Sequence, residues 1–344
     1  MKIGHCKLVI LFCFMKKPKI TVIVGPTASG KTDYAIALAK KTGGEIISAD
    51  SRQIYTGMNI GTAKPQGAFS RQAHDVLQAD MVDGIPHFLF NVTSPDKPWT
   101  LPQWQAAANL VLEDIIKRGK QPILVGGTML YVDSIVKNFS IPAVEPDMAL
   151  RNLLEQKNIS DLYQDLGQVD PDAREFIEPH HKHRMIRAME VIIKTGKPFS
   201  ASRKRQPSPY AFEITGLFPH QSGGQASWDI MKERISARAK QMFDAPSPDK
   251  GRLGGVATNT TTPSNSPLSG REPATNLVTE TAALRDKYGK DLPLLKTMNY
   301  KQAGELLDGK ATPVSALEDT IRVNIKYAKR QMAWWKGRAE ITWK

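Results

Sequence analysis

The spacing of apolar residues changes its period along the chain, and each change marks an element. ITVIV at 20–24 is a run of mostly β-branched residues with the pattern of a strand, and YAIALAK at 34–40 has helical spacing. EIISA at 45–49 is a short strand that ends in polar residues. Helical periodicity covers 104–118, and PILVG at 122–126 is another buried strand, leading into Gly127 and Thr128. Strands alternating with helices predict an α/β fold: a P-loop-type parallel sheet flanked by helices, with ligands beyond the carboxyl ends of the strands. Three polar clusters fall at such ends, at 25–32, at 50–53 and at Thr128.

From 141 to 206 the pattern is helical, with few strand-like runs and dense positive charge around 180–187 and 203–205. This segment is predicted to be an inserted all-helical domain, with 15–140 and 207–344 forming the core. FEITGLF at 212–218 reads as a strand rejoining the sheet, and 231–243 as an amphipathic helix carrying Arg234 and Arg238. Between 245 and 275, Ser, Thr, Pro, Gly and Asn dominate, which predicts a disordered surface loop within the core. Helical periodicity then returns from 277 to 337.

At the start, LVILFCF at 8–14 follows Lys2 and Lys7. The run is too short to span a bilayer, no small-residue cleavage site follows, and MKKP at 15–18 offers a second start. Residues 1–14 are therefore read as a dispensable extension, and no membrane partner is expected. Two cysteines, Cys6 and Cys13, exclude a disulfide framework for the body of the chain and point to a reducing, cytoplasmic setting. The formal net charge of +13 fits a polyanionic partner, although a merely soluble basic protein would also carry it. His180, His181 and His183 could suggest a metal, but no cysteine or spaced acidic partner supports a site, so RNA-facing or solvated roles are expected instead.

GPTASGKT at 25–32 fits G-x-x-x-x-G-K-[ST] and sits between a strand and a helix, the context that motif needs. Its glycines let backbone N–H groups converge on phosphate oxygens, and the helix start adds partial positive charge. Gly25, Thr27, Ala28, Ser29, Gly30, Lys31 and Thr32 are the expected phosphate-binding set, with Lys31 on the outer phosphate and the Thr32 hydroxyl on Mg²⁺. The loop alone does not say whether the phosphate belongs to a nucleotide. Asp50, at the end of the next strand, either serves that site or caps the next helix.

Six segments together resemble the tRNA dimethylallyltransferase (tRNA isopentenyltransferase) family: GPTASGKT, ISADSRQIY at 47–55, GMNIGTAKP at 57–65, LVGGTMLY at 124–131, HRMIRAMEV at 183–191 and YAKRQMAWW at 327–335. The resemblance implies that the P-loop holds the pyrophosphate of dimethylallyl diphosphate. It also implies that the acceptor is N6 of adenosine 37, beside the anticodon in the tRNA anticodon stem-loop. Isopentenyl-adenosine and pyrophosphate would be the products, with Mg²⁺ assisting. Asp50 would then be the base that accepts an N6 proton, Arg238 would stabilise the departing pyrophosphate, and Thr128 would face the reacting centre. A stacked target base must be extruded to react.

By family position, the tRNA-facing residues are Asp50, Ser51, Arg52, Gln53, Thr128, Arg151, His183, Arg184, Arg187, Lys296, Lys301, Lys329, Arg330, Gln331 and Trp334. KRQMAWWK at 329–336 interleaves cations with aromatics as a single-strand stacking surface does, and one of Trp334 and Trp335 is expected to pack into the core instead. Two positions depart from the family pattern: Asn299 stands where glycine is usual, and Ala333 where threonine is. A monomer is expected. An isopentenyltransferase acting on free adenine nucleotides and an ATP-dependent small-molecule kinase are the alternatives, both disfavoured by the basic insert.

Overall fold

The computed structural model describes residues 17–65, 67, 74–142, 144–203, 207–220, 227–244 and 276–344. The predicted extension at 1–14, the predicted loop at 245–275 and the basic pair Lys204 and Arg205 lie outside the described residues. In chain order the first elements are β1 (Lys19–Val24), α1 (Lys31–Thr42), β2 (Glu45–Ser48), β3 (Asp80–Val82), β4 (Ile85–Phe88), α2 (Leu101–Lys117) and β5 (Pro122–Val125). There follow α3 (Met129–Val136), α4 (Met148–Glu155), α5 (Ile159–Val169), α6 (Lys182–Thr195), β6 (Ala211–Gly216) and α7 (Trp228–Phe243). The chain closes with α8 (Leu277–Tyr288), α9 (Tyr300–Leu307), α10 (Pro313–Trp335) and β7 (Ile341–Trp343).

The strands form one sheet in the order β3-β4-β2-β5-β1-β6-β7. β2 pairs parallel to β4 and to β5, β1 pairs parallel to β5, β6 pairs parallel to β7, and β3 pairs antiparallel to β4. Central position explains the sequence: Ile23, Ile46 and Ile123 are sealed from water, and α1 lays Ala35, Ile36 and Ala39 on them. Each such aliphatic contributes about 1.5–3 kcal/mol by leaving water. Because β2, β5 and β1 are neighbours running the same way, the loops that leave their carboxyl ends converge. Those loops are the P-loop, 49–53 and 126–128, the three clusters marked by the sequence.

The chain divides into two compact units. One holds the described residues within Lys19–Pro98, Leu110–Met129 and Phe212–Lys344, which include the whole sheet apart from Ala211. Within it Ala328 of α10 packs with Met231 and Ile235 of α7 and with Phe218. That contact sets α10 so that its Tyr327 and Gln331 reach the sheet's end. Trp335 is buried at the close of the same helix while Trp334 stays exposed.

The other described unit, Trp99–Asn109 and Leu130–Ala211 with Lys17 and Pro18, is helical, and it begins earlier in the chain than residue 141. Its core is Leu154, Leu162, Leu166, Met185, Ile186 and Met189, the inward faces of α4, α5 and α6. Asp147 starts α4 by accepting the Leu150 N–H at 3.0 Å.

Candidate active site

The P-loop turns on residues that reach the left-handed region: Ala28 at φ +64° and Gly30 at +88°. Gly30 is the N-cap of α1 and lays no side chain over the first turn, leaving its N–H groups available to an anion. At Gly25 the chain runs so close to β6 that a Cβ would meet the Leu217 carbonyl oxygen at 2.4 Å. Lys31 Nζ donates to the Pro26 carbonyl at the loop's start. Burial and the nearby Arg238 charge lower the Lys31 pKa to about 7. Ser29 Oγ is buried with no hydrogen-bond partner among the described residues.

Arg238, from α7, donates to Thr27 Oγ1 at 3.1 Å and to the Ala63 carbonyl at 3.4 Å. Burial lowers its pKa, and Asp50 and Asp33 work in the opposite direction. Among the described residues no carboxylate lies within ion-pair distance of Lys31 or Arg238. Two partly buried cations thus face the same space without a carboxylate partner among the described residues, the electrostatic signature of an anion site.

Asp50 Oδ1 accepts the N–H groups of Arg52 at 2.8 Å and Gln53 at 3.4 Å, so it caps a turn after β2 where a helix was the expected partner. Capping fixes the carboxylate at the rim of the P-loop space rather than competing with a second role. Thr128 Oγ1 accepts the Ser51 N–H at 3.0 Å and donates to Ser51 Oγ at 3.4 Å, tying the β5 loop to the β2 loop.

Two clefts open here. A larger one, of about 710 Å³, is lined by the P-loop from Thr27 to Thr32, by Asp50, Arg238 and Gln331, and by the apolar Ile46, Phe90 and Val125. A smaller one, of about 310 Å³, is lined by Ser51, Arg52, Thr128, Arg330 and the 297–300 turn. Thr27, Asp50, Thr62, Ala63, Arg238 and Tyr327 line both. One cleft has the shape and charge for a phosphorylated group with an apolar tail, and the other adjoins it at a carboxylate.

The remaining residues singled out by sequence are placed variously. Gln53 lines the larger cleft, accepting a hydrogen bond from Ser48 Oγ at 3.1 Å. Gln331 is turned inward: its Oε1 accepts the Thr27 N–H at 2.7 Å and its Nε2 donates to the Gly127 carbonyl at 2.8 Å. Its amide is committed to two of the site's loops. Lys329 and Arg330 are exposed on α10, Arg330 lying 5.6 Å from the Tyr327 ring centre, and the Arg338 guanidinium lies 5.6 Å from the ring of Trp334. Lys296 and Lys301 pair with Asp291 at 3.3 Å and Glu305 at 3.6 Å.

In the helical unit, His183 and Arg184 are exposed on the first turn of α6. Arg151 and Arg187 instead converge on the fully buried Glu190, Arg151 at 2.9 and 2.7 Å and Arg187 at 2.6 Å. Burial would raise the Glu190 carboxyl, but the hydrogen bonds from Arg151, the Asp147 N–H and Arg187 hold it at about 2. Arg151 thereby joins α4 to α6, while Arg187, on the same helix as Glu190, also donates to the Val144 carbonyl at 3.0 Å. The histidines also differ from expectation, because folding brings Glu178 Oε2 to 3.3 Å from His180 Nε2 and 3.6 Å from His181 Nδ1. Glu178 stands only two residues before His180 in the sequence, and the three groups could together hold a metal ion.

Tyr327 and His87 are among the lining residues that the sequence did not single out. Tyr327 stands in the matched YAKRQ segment, so a signal existed; burial raises its phenol to about 12. His87 is a lone buried histidine stacked on Phe90 at 5.4 Å, for which the sequence holds no signal. Among the described residues, no helix is long and apolar enough to cross a membrane.

The family model described as "IPP transferase" matches residues 53–249 and 273–338, and the one described as "Isopentenyl transferase" matches 18–74. A tRNA dimethylallyltransferase of Gloeothece citriformis (strain PCC 7424) is 37% identical over 329 residues, covering 96% of this chain and 91% of its own length. A crystal structure of a full-length tRNA isopentenylpyrophosphate transferase from Bacillus halodurans aligns with TM-score 0.60 at 31% identity, covering 96% of this chain and 90% of that one. A eukaryotic dimethylallyltransferase acting on tRNA shares the fold with TM-score 0.67 at 22% identity, covering 95% of this chain and 73% of that one.

Proposed function

Because the chain belongs to the IPP transferase family that includes the tRNA dimethylallyltransferases, we propose that the two adjoining clefts are its active site. The protein is a prenyl transferase that modifies tRNA. In this reading the larger cleft takes dimethylallyl diphosphate and the smaller takes the adenine of adenosine 37. The observation that carries it is the shared wall: Asp50, Thr27 and Arg238 border both spaces.

An adenine N6 lone pair is delocalised into its ring and is a weak nucleophile. As N6 attacks C1 of the dimethylallyl group, the C1–O bond breaks and pyrophosphate leaves. Asp50 accepts the proton that N6 gives up, and the product is N6-dimethylallyl-adenosine. Negative charge gathers on the departing oxygens, where Lys31, Arg238 and the N–H groups of the P-loop would stabilise it. Ile46, Phe90 and Val125 suit the prenyl carbons. Thr32 would hold Mg²⁺ together with diphosphate oxygens, and the hard oxygen donors there, including the partnerless Ser29 Oγ, fit that ion. Bound Mg²⁺ would neutralise part of the pyrophosphate charge.

Arg52, Arg330, Lys329 and Trp334 would contact nucleotides flanking the extruded base, and His183 and Arg184 would meet phosphates. Arg151, Arg187 and Gln331 act indirectly, through the parts they hold. We take the protein to act in the cytoplasm as a monomer. The test is a transfer assay with radiolabelled dimethylallyl diphosphate, Mg²⁺ and unmodified tRNA, with AMP and ATP as competing acceptors. Label in tRNA alone is expected. Label in free nucleotide would replace the acceptor assignment, and ATP hydrolysis without prenyl transfer would overturn the donor assignment.

A further inference from the structure

The segment 57–65 borders both clefts through Thr62 and Ala63, yet it belongs to no helix or strand. Its backbone is held from the far end of the chain. Glu280 of α8, buried, accepts five hydrogen bonds. Oε1 takes the N–H of Ile60 and of Gly61 at 3.1 Å and the Tyr300 hydroxyl at 2.7 Å; Oε2 takes the N–H of Asn59 at 3.0 Å and of Ile60 at 2.8 Å. Burial beside Glu280 pushes the Tyr300 phenol well above its ordinary value, so it remains a donor. Gly61 lies flat on that phenol, where a Cβ would come within 2.4 Å of the ring.

Asn299 completes the hold. It occupies φ +73°, ψ −58°, a conformation that disfavours a side chain, yet its side chain is used at both ends. Nδ2 donates to the Gly61 carbonyl at 2.7 Å, and Oδ1 accepts from Asn324 Nδ2 on α10 at 2.6 Å. The other side of the segment is tied to the site, since the Ala63 carbonyl accepts from Arg238 at 3.4 Å and from Gln53 at 3.4 Å. A carboxylate with four donors, the Ile60 N–H shared by both of its oxygens, is therefore the anchor of a wall that Arg238 leans on.

We infer that Glu280, assisted by Tyr300 and Asn299, is a positioning residue for prenyl transfer, holding the 59–63 segment so that the acceptor cleft has its working shape. The inference rests on the reading of the clefts given above. An amide cannot replace the carboxylate, because its NH₂ group would face backbone N–H groups whichever way it turned.

The test compares E280Q, E280D, Y300F and N299G with the unaltered protein in steady-state transfer, varying tRNA and dimethylallyl diphosphate separately, with thermal unfolding as a parallel readout. For E280Q, KM for tRNA should rise and kcat fall about tenfold each, while KM for the donor changes less than about threefold. E280D, which keeps the charge, should recover part of that loss. N299G suits the local backbone and should fold as well as the parent, but its KM for tRNA should rise several-fold. Unchanged KM for tRNA in both N299G and Y300F, with the E280Q loss matching only its loss of folded protein, would overturn the inference. D50A separates the two levels of argument: transfer surviving in D50A defeats the reading of the clefts themselves, whereas a dead D50A beside unaffected clamp variants defeats only the clamp.

Discussion

Arg151 and Arg187 in the helical unit share one buried carboxylate, whereas Lys31 and Arg238 at the end of the sheet share none among the described residues. Both sets are cations at least partly withdrawn from water, so both carry a desolvation cost. At Glu190 the cost is offset inside the protein by a closed set of charge-assisted hydrogen bonds. Beside the P-loop it is left standing, and it shows as lowered pKa values for Lys31 and Arg238. Uncompensated charge of that kind persists where an external anion completes it. The same residue types thus mark structure in one unit and a binding site in the other, and the presence of an internal carboxylate separates the cases.

Substitutions should break the two regions in opposite ways. Lys31→Met keeps the chain's volume and removes a cation that no carboxylate among the described residues pairs with, so transfer should fall roughly 10²–10³-fold. Its unfolding midpoint should stay level or rise; a clear loss of stability would show that Lys31 is a structural cation after all. Glu190→Gln should do the reverse. Arg151 and Arg187 would be left against an amide, costing about 3 kcal/mol of folding stability in urea titrations. Transfer per folded molecule should stay within about twofold. A specific loss of turnover with intact stability would return those arginines to the RNA-contacting set.

What the sequence disclosed follows the same division. Three loops converging on one end of the sheet were legible because each obeys a local rule: strand, then glycine or acid, then turn. Thr128 and Asp50 needed only to stand at strand ends. Gln331 bonding to Thr27 was not legible, since the partners are 304 positions apart and a glutamine beside basic residues looks like an RNA contact. Half of the Glu190 pair was visible, as Arg187 and Glu190 are three apart on one helix, but Arg151 joins from α4. Asn299 stood out as a departure in sequence, yet its use of both amide ends depends on Gly61 and Asn324, which only folding brings near.

The smallest effect is also the most specific to the closed pair. Glu190 titrates at about 2 in the folded chain against an ordinary 4.5, so its folded-state pKa is depressed. Stability from the pair is then fully present above about pH 4.5. Below that the unfolded chain takes up the proton first, and stability is lost as pH falls toward 2, by at most about 1.4 kcal/mol per pH unit. Other carboxylates titrate in the same window, so the informative quantity is the stability difference between the parent and Glu190→Gln. Urea midpoints at pH 7, 5, 4 and 3 should show that gap constant down to pH 5 and narrowing below it, because a protonated glutamic acid already resembles the amide. The gap between the parent and Lys31→Met should not narrow in that way, since no internal carboxylate pairs with Lys31. A Glu190 gap that held constant to pH 3 would mean that the pair contributes through packing rather than charge, and the contrast between the two regions would then lose its electrostatic basis.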